Sequence, residues 1–188
     1  MKIISLPASD KSLVKKAKKQ DRMAQKQLFD RYAPKMLSIC RQYIKDLHFA
    51  EDVMIIGFTK AFSGIKSFDI EKSFGAWIRQ IMIHESISFL RKKQIEFKET
   101  EDEFLTIENE NNISLNDLDT IQFYIDQLPQ GYKTVFLLYV VEGYKHHEIA
   151  EMLAISEGTS KSQLFKAREI LKNNLSPIYD TQNLKYGK

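Results

Sequence analysis

Apolar side chains recur every three or four positions along almost the whole chain, the spacing of an α-helix with one buried face. Leu28, Tyr32, Met36, Ile39, Cys40 and Tyr43 form one such stripe. A second helix is expected from about Ala50-Glu51-Asp52 to Ile65, where Met54, Ile55, Phe58, Ala61, Phe62 and Ile65 share a broad arc. The opposite arc holds Asp52, Thr59, Lys60 and Ser63, with Ile56 among them. The first arc should be core. A single apolar residue on the polar side is either unremarkable or an anchor for a protein partner.

A third helix is expected to enter through a Ser73 cap, after a loop from Lys66 to Ser73 that mixes aromatic and basic residues. Trp77, Ile81, Ile87 and Leu90, or apolar residues near them, would pack, and Arg79, Gln80, His84, Ser88 and Arg91 would face outward. Interleaved aromatics and cations suit unstacked bases, which offer a face to stack on and a phosphate to neutralise. For Phe74 and Trp77, an ordinary place in the core is the better reading than base stacking.

Near the C-terminus, Glu142 to Leu164 reads as two short helices joined by a tight turn. Ile149, Ala150 and Leu153 would point inward from the first, Ile155 would plug the turn, and Ser156 would cap the second. That second helix presents Thr159, Ser162, Gln163 and Lys166 on one side. Its other side carries Leu164, Ala167 and Leu171, with Ser160 in the same stripe. An exposed polar and basic helix on a small apolar brace is what the DNA major groove accepts.

The fold class is therefore all-α. Two small helical domains, 12–97 and 118–176, are expected on either side of a flexible acidic linker, 98–117, with a tail at 177–188. The C-terminal domain would be a helix-turn-helix. The 188 residues suffice for this, and 43% hydrophobic content is ordinary for a soluble protein. The net charge of +3 is unevenly spread. Basic residues gather between Lys11 and Lys26 and again at Arg91-Lys92-Lys93, while Glu96 to Asp119 is acidic against Lys98 alone. The N-terminal lysines fit a solvated face as well as a DNA contact. The acidic stretch would keep two basic domains soluble, or mimic nucleic acid in a positive channel.

Other chemistry is thinly supported. No apolar run is long enough to span a bilayer, and no secretory signal is recognisable, so a cytoplasmic protein without direct membrane insertion is expected. Cys40 is the single cysteine, which excludes an internal disulfide and reads as a buried small hydrophobe. His146 and His147 are adjacent, with only His48 and His84 elsewhere, so no metal site is expected. There is no glycine-rich phosphate loop and no set of nucleophile, base and orienter. No enzyme activity and no cofactor are expected.

Three blocks in order resemble the bacterial RNA polymerase sigma factors of the extracytoplasmic-function group in the sigma-70 family. Ala50 to Phe62 resembles the segment that docks on the clamp of core polymerase. Ser73 to Ile81, continuing to Phe89-Leu90-Arg91-Lys92-Lys93, resembles the helix that reads the −10 promoter element. Leu128-Pro129, Val135-Phe136, Glu142-Gly143 and Glu148-Ile149-Ala150 through Arg168 resemble the domain that reads the −35 element. The resemblance covers the chain from about Gln20 to Leu175.

It implies polymerase contacts at Asp52, Val53, Ile55, Ile56, Phe58, Thr59, Lys60 and Phe62. It implies −10 contacts at Lys66, Phe68, Lys72, Ser73 and Trp77, and along the helix at Arg79, Gln80, His84, Ser88 and Arg91. It implies −35 contacts at Lys145, His146, Glu157, Thr159 and Lys161, then at Ser162, Gln163, Lys166 and Arg168. The implied partners are core RNA polymerase, through the β′ clamp and the β flap, and promoter DNA, both duplex and melted. An anti-sigma factor, often membrane-bound, would hold the protein inactive.

The chain departs from the family at four places. Ile55-Ile56 replaces a usual Gln-Glu pair, so docking should lean on apolar contact and Ile56→Asp should weaken it. His84 stands where Asn is frequent. Lys145 replaces the usual Ser or Thr cap. Ser160 replaces Val and is expected to bond a backbone carbonyl one turn back. A dimeric helix-turn-helix repressor and a regulator that binds only proteins remain as alternatives; neither requires the first two blocks.

Overall fold

The computed structural model describes residues 9–96 and 117–186, which fall into two compact units divided between Phe97 and Lys98. The expected linker lies outside the described residues except for Asp117, which opens a helix. Every regular element among the described residues is helical, so the all-α expectation holds.

In the first unit, short polar side chains set where each helix begins. Ser9 caps α1 (Asp10–Lys18), and Asp21 caps α2 (Arg22–Tyr43) by accepting from the Met23 and Ala24 amides at 2.9 and 3.1 Å. Asp46 caps α3 (Leu47–Gly64) through the Phe49 amide. That cap starts the helix ahead of the expected Ala50, because the apolar period alone gave no sign of it. Helix α3 ends in a 3₁₀ turn, Ile65–Ser67, and Ser73 caps α4 (Phe74–Glu96) as expected, accepting from the Ala76 amide at 3.3 Å.

Helix α2 packs on α1, α3 and α4, and α3 packs on α4. The stripe of α2 is the core as read, with Leu28, Met36, Ile39, Cys40 and Tyr43 all buried and Tyr32 half-buried. Two expectations are corrected. Ile55, assigned to the core arc of α3, is 50% exposed, next to Ile56 at 48%. The buried arc of α3 is Ala50, Val53, Met54, Gly57, Phe58 and Ala61, centred on the side opposite to Ile55. Gly57 makes room for the end of the Met82 side chain from α4: a Cβ there would lie 2.5 Å from Met82 Sδ. On α4 the core is Phe74, Ile78, Met82, Ile83, Ser86 and Ile87, whereas Trp77, Ile81 and Leu90 are only half-buried. With both α2 and α3 packed on it, α4 has apolar residues over more of its circumference than those neighbours cover, and Trp77, Ile81 and Leu90 lie at the rim.

The second unit comprises α5 (Asp117–Gln127), α6 (Gln130–Phe136), α7 (His146–Leu153) and α8 (Glu157–Tyr186). Pro129 separates α5 from α6, and α6 continues as a π-helical turn, Leu137–Val141. Helix α8 packs on α5, α6 and α7 and runs on through the range expected as a tail. Leu164, Ala167 and Leu171 of α8 are buried, as are Leu128, Val135, Leu138 and Ile149; Ala150 and Leu153 are half-buried. Lys133 is also in this core, 2% exposed, with its ammonium 2.6 Å from Asp126 of α5. A buried cation needs such a partner, and none was foreseen. No described helix is long and apolar enough to cross a membrane.

Candidate nucleic-acid interface

The turn between α7 and α8 is set by backbone geometry. Ala154 is left-handed, with φ 54° and ψ 44°, and the Ile155 amide reaches back to the Ala150 carbonyl at 3.1 Å. Ser156 then caps α8 through the Thr159 amide at 2.9 Å, as its position implied. At the start of α7, Glu148 accepts from the Lys145 backbone N–H at 2.7 Å. This is half of a capping box, and it firms a helix start that has no Ser or Thr.

Helix α8 lies between supports on both flanks. On one flank Gln163 covers Gly131 of α6, where a Cβ would come within 3.3 Å of Nε2, and the Lys166 ammonium lies 5.9 Å from the Tyr132 ring. On the other, the Arg168 guanidinium lies 5.7 Å from the Tyr139 ring. Lys161 shares this second flank by helical spacing and pairs with Glu157 at 2.7 Å. That ammonium holds the Glu157 carboxyl below the usual carboxylate range. Between the flanks runs a crest that includes Ser162 and Phe165. Thr159 stands at the head of the helix, its hydroxyl 2.8 Å from that of Ser156.

Two residues differ from expectation. His146, expected on the DNA-facing surface, stacks on Tyr139 at 4.5 Å and sets its Nδ1 3.0 Å from the Ser160 hydroxyl. It is a joint between α7 and α8. The same contact gives Ser160, fully buried, a side-chain partner across the turn instead of the backbone carbonyl expected for it. Phe165 was missed: it is 67% exposed on the crest, and as an apolar residue outside the inward stripe it was legible as an anomaly.

In the first unit, Gln80, His84, Ser88 and Arg91 share one face of α4 at helical spacing with Trp77. Arg79 does not. It lies one turn before Met82 and Ile83 on the core side and is half-buried. In the loop before α4, Lys66, Lys72 and Ser73 are exposed, but Phe68 is only 5% exposed. Its ring packs 4.7 Å from Trp77 and 5.8 Å from Phe74, and those two stand 5.7 Å apart. Phe68 therefore belongs to the aromatic floor of the loop and is not free to stack on a base.

The outer face of α3 carries Asp52, Ile55, Ile56, Thr59 and Lys60, all exposed. Lys60 reaches both oxygens of Glu85 on α4 at 2.7 Å, and the Thr59 hydroxyl donates to the Ile55 carbonyl at 2.8 Å. Phe62 sits half-buried at the edge. Val53 and Phe58, expected as contacts, are 3% and 2% exposed and act by supporting that face.

The two units correspond to two family models: sigma-70 region 2 over residues 28–95, and sigma-70, region 4, over residues 118–171. The chain is 31% identical over 182 residues to the ECF RNA polymerase sigma factor SigW of Bacillus subtilis, covering 89% of this chain and 97% of that protein. It is 28% identical over 184 residues to the ECF RNA polymerase sigma-E factor of Haemophilus influenzae, covering 90% and 97%. It is 27% identical over 183 residues to the RNA polymerase sigma-H factor of Pseudomonas aeruginosa, covering 90% and 95%.

Proposed function

The chain belongs to the extracytoplasmic-function group of RNA polymerase sigma factors in the sigma-70 family, and from that premise we propose how its surfaces share the start of transcription. The outer face of α3 docks on the clamp of core polymerase, with Ile55 and Ile56 as apolar anchors between Asp52, Thr59 and Lys60. The loop from Lys66 to Ser73 and the Gln80, His84, Ser88 and Arg91 face of α4 take the −10 element. Lys72, Ser73 and Lys66 stand over the Phe68, Phe74 and Trp77 floor, where a base drawn from the stack would be held. Unpairing costs a few kcal/mol, which contacts to that base offset.

Helix α8 enters the major groove at the −35 element. Lys166 and Lys161 supply phosphate contact, which carries affinity but no sequence information. Gln163 and Ser162 reach base edges, and Phe165 on the crest offers an apolar contact for a thymine methyl. The protein has no catalysis of its own in this reading; polymerase supplies it. It works in the cytoplasm, and an anti-sigma factor restrains it by covering the same faces.

The observation that carries the reading is the exposed Ile55–Ile56 pair on the unit that also bears the α4 polar face. A repressor that acts without polymerase has no use for such an anchor. The test is transcription in vitro with sigma-free bacterial core polymerase, this protein and promoter fragments from its own genome. Specific starts that depend on the protein are expected. Absence of transcripts together with absence of a core complex would overturn the reading and leave the repressor alternative, to be tested by duplex binding of the protein alone.

A further inference from the structure

Helix α1 takes no part in the surfaces assigned above, yet it holds the loop between α3 and α4 by two direct contacts and, through Tyr32 of α2, supports the start of α4 that follows it. The Lys18 ammonium, in the last turn of α1, donates to the Phe68 carbonyl at 2.8 Å. Lys11 pairs with Glu71 at 2.7 Å. Asp10 binds Arg31 and accepts from the Tyr32 hydroxyl. The Tyr32 ring in turn meets the Phe74 ring edge-on at 5.4 Å and fills the space over Gly75, where a Cβ would lie 2.8 Å away.

These holds differ in weight. Lys11 and Glu71 are 60% and 73% exposed, so their pair is worth little. Lys18 is partly buried, and its acceptor belongs to Phe68, whose ring lies in the aromatic floor. Residue 68 is thus fixed by its ring on one side and by its carbonyl on the other. The rest of the loop is tied mainly to itself. The Phe68 amide reaches the Ile65 carbonyl at 3.2 Å, the Lys72 amide the Asp69 carbonyl at 3.1 Å, and the Glu71 amide the Asp69 carboxylate at 3.0 Å.

We propose that α1 is a brace for this loop, and that Lys18, held on the Phe68 carbonyl, is the residue that positions the loop for base capture. The proposal rests on the assignment of the loop to the −10 base. Lys18 acts without touching DNA: its hydrogen bond sets how far the loop backbone stands from α1, and so where Lys66, Lys72 and Ser73 meet the base. A binding pocket tolerates displacements of only about 0.5 Å. Lys15 and Lys16, on the exposed side of the same helix, contribute charge.

The test uses the holoenzyme with core polymerase. The probes are a short non-template single strand carrying a −10 element mapped by transcription in vitro, and the same strand with an abasic site at each position in turn. The readout is the ratio of affinities for the intact strand and the most weakened abasic strand. Lys18→Ala is expected to lower that ratio about tenfold, the value of one charge-assisted hydrogen bond, with the abasic affinity nearly unchanged. Lys18→Met keeps the apolar stem and should give the same drop, whereas Lys18→Arg can still donate and should recover part of it. Lys15→Ala removes the same charge and should leave the ratio alone. Partial unfolding would weaken both strands in proportion and leave the ratio unmoved. An unchanged ratio in both Lys18→Ala and Lys18→Met, or an equal drop in Lys15→Ala, overturns the brace. If no abasic position weakens the wild-type protein, the base-capture assignment itself fails and the brace falls with it.

Discussion

Ile55 and Ile56 stand 50% and 48% exposed on α3, which leaves about half of each side chain for a partner to cover. Full burial of such a side chain is worth about 1.5–3 kcal/mol, so covering the exposed half contributes ~0.7–1.5 kcal/mol each. Replacing both with alanine should remove about 1.5–3 kcal/mol of docking free energy. At roughly 1.4 kcal/mol per decade, affinity for core polymerase then falls about 10- to 100-fold. Alanine is the right probe because it is the strongest helix former, and both side chains project away from the core. The buried half of each side chain is worth as much to the fold by the same area, so the variant should lose about 1–2 kcal/mol of stability after alanine's better helix propensity is counted, and binding is read at a temperature well below its melting. Ile56→Asp alone should also weaken docking, since it places a charge where a partner would exclude water. The assay is anisotropy of labelled protein titrated with core polymerase, with thermal melting in parallel. A double-alanine variant that stays folded at the assay temperature and binds within twofold of the wild type refutes the pair as an anchor. A loss of binding matched by melting at that temperature would mean instead that the two side chains support α3.

On α8, Lys166→Ala should weaken binding to all promoter duplexes and reduce the salt slope by about 1, while Gln163→Ala and Phe165→Ala each relax preference at one −35 position. Equal effects of all three changes on every duplex would contradict these roles. Ala154 holds a left-handed backbone at φ 54°, which costs a residue with a Cβ about 1–2 kcal/mol. Ala154→Gly should therefore raise stability by about 0.5–1 kcal/mol after the greater unfolded freedom of glycine is subtracted; a lower urea midpoint would show that the turn is not strained. Burial pushes the Cys40 thiol up from 9.0 to about 11. The folded state thus keeps a proton that the unfolded state gives up, so this contribution is whole below about pH 9 and is lost as pH rises toward 11. Urea midpoints across that window should fall more steeply for the wild type than for Cys40→Ala, and identical slopes would rule the thiol out.

The helices were legible because their apolar positions keep a 3.6-residue period, and the stripes of α2 and α8 are buried as read. Caps were legible where a short polar side chain stood directly before a stripe, as at Ser73 and Ser156. They were missed where the stripe began later than the helix, as at Asp46. The rotational setting of α3 and α4 was not legible. A hydrophobic arc wider than the contact it must fill fits more than one rotation, and what selects the rotation is a neighbour. Gly57 faces Met82 of α4 at a distance that a Cβ would not fit, and Ile55, two residues before it, faces outward. Lys133 gave no sign in sequence either, because its ion-pair partner, Asp126, lies seven residues back on the preceding helix.

The residues that stand out most in the structure lie where the chain breaks its own pattern. A folding core has no need of Ile55, Ile56 or Phe165 in water, and each stands on a face where the surrounding residues are polar. Exposed apolar side chains are common one at a time. Here two sit side by side on α3, and a third tops the crest of α8 beside Ser162. Local rules of foldability are broken where another demand outweighs them. Lys18 and His146 make the converse case. Both are polar residues of the kind that a sequence reading sends to solvent or to phosphate, and each is held inside its own unit, on the Phe68 carbonyl and on the Ser160 hydroxyl. A charged or ionisable side chain drawn into such a contact gives up hydration, which must be offset by what the contact fixes in place. At Lys18 that is the loop between α3 and α4, and at His146 it is the join between α7 and α8. In the function proposed above, the residues that aim the DNA-reading elements are therefore among those that residue type alone would have assigned to the DNA.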